Sequence, residues 1–227
     1  MSIYEVHLGS LAASSPKMGT VPLTYQELAV QLARYVQDLG FTHVELLPVA
    51  EHPFGGSWGY QVANYYAPTA RFGHPGRLSL PGRPPPPGGH RRARWTGCPA
   101  TSRATSGRWA ASTAPRSTST PTRARASSPT GARYVFNFGR NEVRNFLVAN
   151  AHFWLEEYHV DGLRVDAVAS MLYLDYSRRP ASGCPTSWGG RENEEAIAFL
   201  RELNTSVQHS PSRRARRSPR SPPPGRR

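Results

Sequence analysis

Gly162-Leu163-Arg164-Val165-Asp166-Ala167-Val168-Ala169-Ser170 alternates an arginine and a carboxylate with apolar residues, directly after an amphipathic stretch. On a strand, whose side chains alternate between faces, Arg164 and Asp166 share one side while Leu163, Val165 and Ala167 take the other. Burying charge is costly unless it is paired. The spacing therefore describes either a structural ion pair at a strand end or functional groups at the mouth of a (β/α) barrel, where strand ends carry the chemistry.

Upstream, Val143, Phe146, Leu147, Ala151, Trp154, Leu155 and Tyr158 recur at three-to-four spacing and predict a helix from Asn141 to about Tyr158. Downstream, a third helix is expected from about Glu192 to Leu203, burying Ile197, Leu200 and Leu203. At the other end, Ile3-Tyr4-Glu5-Val6-His7-Leu8 reads as a strand closing at Gly9. Thr24 and Glu27 form a capping box that opens a helix with apolar face Leu28, Leu32, Tyr35, Val36 and Leu39, stopped by Gly40. Phe41 to Val49 then reads as a buried strand. Strand, helix, strand is the start of a parallel α/β sheet or barrel.

The net charge of +13 on 227 residues raises nucleic acid as a partner. Its distribution argues against that. Residues 74–133 hold 11 arginines and no lysine, 206–227 hold 7 more, and the remainder carries a net charge of −5. Both basic stretches lose all hydrophobic period, and binding segments of this kind usually mix in lysine and aromatics. The composition fits a disordered basic linker. No segment approaches 18 apolar residues, so no membrane span is expected. Met1 to Glu5 lacks a signal-peptide pattern. Cys98 and Cys184 have neither disulfide-framework nor zinc spacing. A cytoplasmic protein without metal is the expectation.

The genetic code offers a sharper reading of 74–133. Trp95 through Ser102 can be encoded TGG ACT GGG TGC CCG GCC ACT TCC, which from its third nucleotide reads D-W-V-P-G-H-F. The same offset applied to Ser112 through Arg123 gives D-G-T-A-L-Y-E-H-A-D-P, ordinary acid-containing sequence. The chain then divides into 1–73, an out-of-frame and disordered 74–133, 134–205, and an out-of-frame tail 206–227. In the first part, Glu51 to Gln61 is dense in aromatics and glycines, which suits either sugar stacking or an ordinary packed loop with a Trp anchor.

Ser2 to Ser10, Gly40 to Pro48, Glu51 to Gln61, Tyr66 to Pro68, Phe136 to Val143, Asp161 to Ser170 and Gly189 to Asn193 together resemble the glycogen (1,4-alpha-glucan) branching enzymes of the alpha-amylase clan. The resemblance implies the N-terminal part of a (β/α)8 barrel, an α/β fold. Strands 1, 2 and 4 are recognisable, and the scrambled stretch stands where strand 3 belongs, leaving that position unfilled. It implies a retaining transfer of an alpha-1,4 glucan chain to a 6-hydroxyl. Asp166 would be the nucleophile, Arg164 would orient it, and Tyr60 with Gln61 would bind substrate, while His52 and Trp58 shape the loop. It implies no cofactor, no metal, no membrane, and a monomer as the intact protein.

The family's acid/base glutamate falls where Arg216-Arg217-Ser218-Pro219 re-reads as A-E-E-S, and Ala181 to Thr186 re-reads as G-E-W-V-P-N. The chain as translated thus has no general acid and is expected to be inactive and poorly folded. Two other readings stay open: a different amylase-clan glucan hydrolase, and a non-functional product with an Arg-rich nucleic-acid-binding segment.

Overall fold

A computed structural model describes residues 1–12, 23–74, 76, 78, 92–97, 101–103, 127–128, 133–176 and 190–209; at 92–97, 101–103, 127–128 and 133–135 it describes the backbone alone. Most of 74–133, nearly all of 206–227, all of 181–186 and both cysteines lie outside those residues.

Four parallel strands make the central sheet: β1 (Ile3–Val6), β2 (His43–Leu46), β5 (Arg92–Gly97) and β9 (Gly162–Val165), adjacent in that order. Between β2 and β5 lies an antiparallel pair, β3 (Ala50–Glu51) with β4 (Asn64–Pro68). Short strands β6 (Thr101–Arg103), β7 (Ser127–Ser128) and β8 (Arg133–Val135) form a separate antiparallel sheet. The helices are α1 (Leu8–Ala12), α2 (Tyr25–Asp38), α3 (Asn141–Glu157), α4 (Val168–Leu172) and α5 (Glu194–His209).

The expectation of an unfilled third position is corrected. The backbone of β5 pairs in parallel with β2 on one side and β9 on the other. Ladder hydrogen bonds use groups that every non-proline residue carries, so an anomalous side-chain sequence can still fill a gap between two strand edges.

The capping box is present: the Glu27 N–H donates to Thr24 Oγ1, and the Thr24 N–H donates to Glu27 Oε2 at 2.8 Å. The α2 stop at Gly40 takes φ +73°, a left-handed turn suited to glycine. Tyr25, Leu28, Leu32 and Val36 are buried, but Tyr35 and Leu39 are exposed, against expectation. Tyr35 instead lies on the rim, its ring 5.3 Å from that of Tyr4. The first strand also ends sooner than its pattern suggests, because Leu8 already opens α1. The second is four residues long rather than nine.

Leu163 and Val165 pack outward against the core formed with α3 and α5, as the alternation predicts. In α5 the buried stripe is Ala196, Phe199 and Leu203: Leu203 is buried as expected, while Ile197 and Leu200 are only partly buried and the stripe enters the helix one position earlier. Asn193 sets that phase by accepting from the Ala196 N–H, and Phe199 stacks on Phe138 at 5.2 Å. Arg144 of α3 pairs with Glu202 of α5 across the same contact.

Candidate active site

Because β1, β2, β5 and β9 are parallel, all their C-terminal ends lie at one edge of the sheet, and the loops that follow them gather there. Asp166 is the first residue beyond β9. The next residue, Ala167, has φ +53°, left-handed and rare for a residue with a Cβ. That sharp bend into α4 leaves the partly exposed Asp166 at the rim rather than within the ladder.

Arg164 and Asp166 share one face, as the alternation predicts, but their pairing is loose: Nη2 stands 3.6 Å from Asp166 Oδ1. The arginine's close partners are two glutamates that sequence reasoning did not single out. Its Nη1 donates at 2.6 Å to Glu5 of β1 and at 2.6 Å to Glu45 of β2. Glu45 is only 8% exposed, so the cation offsets a carboxylate that could not otherwise be buried. The hydrogen bond to Glu45, then the charges of both glutamates, push the guanidinium above the usual arginine range despite partial burial. A signal for this was present: in Ile3–Val6 and His43–Leu46 an acid occupies the third place of an otherwise strand-forming run.

Tyr60 and Gln61 lie in the segment between β3 and β4, in the connection that follows β2. Its base is tied by Glu51, which accepts from the Ala70 N–H at 2.9 Å, the His52 N–H at 2.9 Å and Arg71 Nη1 at 2.8 Å. Burial raises the affinity of Glu51 for a proton, yet these donors outweigh it and hold the carboxyl below its ordinary value. A carboxylate with a depressed folded value stabilises fully above its unfolded value and loses that contribution as pH falls through the folded one. The thermal midpoint of the chain is therefore expected to fall below the ordinary glutamate range, and Glu51→Gln to flatten that part of a midpoint-versus-pH curve.

Within the loop, Trp58 (φ +54°) and Gly59 (φ +87°) are consecutive left-handed residues. A Cβ on Gly59 would sit 2.0 Å from the Pro48 carbonyl oxygen, a backbone atom that cannot swing away. Gly59→Ala is expected to cost about 2–4 kcal/mol, from strain plus the clash, read as a lower urea midpoint; a loss under half a kcal/mol would contradict this packing. His52 is buried and its Nδ1 pairs with the Ala50 carbonyl, so it shapes the loop as expected. The Trp58 side chain is 61% exposed, so the ring is no anchor, and the residue shapes the loop through its left-handed backbone alone. Tyr60 is half-buried, and its N–H donates to the Ser57 carbonyl at 3.0 Å. Gln61 Oε1 is buried with no hydrogen-bond partner, an acceptor left to be satisfied by some donor.

Among the described residues, no cluster of three or more His, Cys, Asp or Glu could hold a metal, and no helix is long and apolar enough to cross a membrane.

No family model matches the chain. Among solved structures it resembles the alpha-amylase of Geobacillus thermoleovorans, seen with acarbose, at TM-score 0.60 and 16% identity, over 91% of this chain and 43% of that one. An Anoxybacillus alpha-amylase matches at TM-score 0.61 and 16% identity, over 91% and 44%. The parallel sheet with its helices is thus similar in fold to part of the alpha-amylases, an α/β fold. Sequence narrows this further. The 1,4-alpha-glucan branching enzyme of Myxococcus xanthus is 53% identical over 91% of this chain and 28% of its own length. That of Thermobifida fusca is 55% identical over 91% and 26%, and that of Corynebacterium diphtheriae 52% over 92% and 28%. Over the residues it spans, the chain is thus similar to the 1,4-alpha-glucan branching enzymes, and it covers about a quarter of the length of these curated relatives.

Proposed function

We propose that the chain carries the nucleophile-bearing N-terminal part of a (β/α)8 barrel that cleaves alpha-1,4 glucan and transfers the cleaved chain to a 6-hydroxyl. The observation that supports this reading is that Asp166 stands at the C-terminal rim beside Arg164, in a chain whose similar proteins are named 1,4-alpha-glucan branching enzymes. The central strands β1, β2, β5 and β9 are read as barrel strands 1 to 4.

In this reaction the Asp166 carboxylate attacks the anomeric carbon and forms a glycosyl ester as the glycosidic bond breaks; a second carboxyl protonates the departing oxygen. The acceptor 6-hydroxyl then displaces Asp166, with its proton going to that second group. The cation of Arg164 stands 3.6 Å from Asp166 and orients it. The half-buried ring of Tyr60 offers a face for a sugar, and the unsatisfied Gln61 oxygen suits a hydroxyl donor. The partner is an alpha-glucan, and the reaction calls for neither metal nor organic cofactor. Nucleic acid and membrane are not partners, the setting is cytoplasmic, and the intact protein is a monomer.

Residues 74–133 and 206–227 are read as out of frame, which removes the second carboxyl from the chain as translated. The 227-residue chain is accordingly inactive. Resequencing the DNA across both stretches and expressing the frame-restored protein tests the reading. Restored enzyme should lower iodine staining of amylose without a matching rise in reducing ends, while the 227-residue chain should do neither. A rise in reducing ends equal to the cleavage would replace transfer with hydrolysis.

A further inference from the structure

Glu5 and Glu45 are directly opposite each other across β1 and β2, a like-charge pair that costs stability unless a cation lies between them. Arg164 is that cation, yet it comes from β9, with β5 intervening in the sheet, and reaches across to place one nitrogen 2.6 Å from each carboxylate. Its other nitrogen is left 3.6 Å from Asp166, beyond hydrogen-bond length.

We infer that Glu5 and Glu45 are positioning residues that hold the Arg164 guanidinium off Asp166, leaving the nucleophile charge-compensated but unclamped. This rests on the reading of Asp166 as the attacking group. A carboxylate gripped by two short guanidinium bonds commits its lone pairs to those bonds. At the observed separation the attraction between guanidinium and carboxylate persists, because Coulomb energy falls only as the inverse of distance, while the oxygen lone pairs stay available for a carbon. Two anchors are needed because the arginine sits on a flexible stem: Glu45, buried, fixes its depth, and Glu5, at the sheet edge, fixes its direction.

The test uses the 227-residue chain and needs no turnover. Carboxylates are methylated with trimethyloxonium, and each site is read by peptide mass spectrometry against the exposed Glu194. In the double variant Glu5→Gln with Glu45→Gln, the released guanidinium closes on Asp166, and its methylation should slow about tenfold relative to Glu194. Arg164→Gln should raise it above wild type, and adding the two glutamate changes to Arg164→Gln should alter nothing further.

An unchanged Asp166 rate in the double variant overturns the proposal, as does an equal slowing when Arg164 is absent. If the double variant unfolds, Glu5→Gln alone decides: its side chain is half-exposed, and it should give a smaller slowing of the same sign. Failure of the nucleophile reading shows separately, as branching activity surviving loss of Asp166 in the frame-restored enzyme, and leaves these labelling ratios untouched.

Discussion

Asp166→Asn in the frame-restored enzyme is expected to lower the transfer rate by at least about a thousandfold, because an amide cannot form the glycosyl ester and only binding and the remaining groups still act. The substitution is nearly isosteric, and its cost to folding is small for a reason visible in the structure. The loose contact to Arg164 is secondary to two glutamate bonds that remain, so the guanidinium keeps its place. Loss of rate with an unchanged thermal midpoint is therefore the expected pair of results. Mass spectrometry of enzyme quenched with a slow glucan substrate should show the covalent adduct in wild type and none in the variant. More than a tenth of wild-type transfer in Asp166→Asn would remove this residue from the chemistry.

Phe199→Ala carries the largest expected cost in stability. Phe199 is fully buried at the centre of the cluster that also holds Phe138, Val143, Leu147, Met171 and Leu203. Its ring stacks on Phe138, and together they join α5 to the segment entering α3. Truncating a buried Phe costs about 3–5 kcal/mol through lost transfer energy and the cavity left behind. A domain typically has only about 5–15 kcal/mol in total, so most of its margin would go. Urea unfolding followed by tryptophan emission should show a midpoint far below wild type, whereas Phe199→Leu, which refills most of the space, should recover more than half the loss. A change under about 1 kcal/mol for Phe199→Ala would mean that α5 does not pack as described.

The local features were legible because they depend on neighbours in the chain. Thr24 and Glu27 cap α2 across three residues, Gly40 ends it with a left-handed turn, and the alternation through Leu163, Arg164 and Val165 assigns faces whatever lies on either side. The position of Asp166 just past a strand end follows from the same alternation together with the apolar run that precedes it. Helix boundaries came within one residue for α3, where the stripe is long and regular.

Three things were decided only in three dimensions. In the first half of α5, Ala196 and Phe199 took the buried places expected of Ile197 and Leu200, because a ring stack between Phe199 and Phe138 outweighed the local pattern. The third place in the sheet was filled by Arg92–Gly97, since ladder bonds are made by backbone and pay little regard to side-chain composition. The true partners of Arg164 lie 159 and 119 residues away in the chain, on strands that only the fold brings alongside. Sequence by itself determined which residues are charged, which faces of a strand they share and where α2 stops, all short-range consequences of side-chain shape and backbone preference. Which charges meet, and at what distance, was left to the sheet, because Coulomb and hydrogen-bond energies depend on separation in space and carry no memory of separation along the chain.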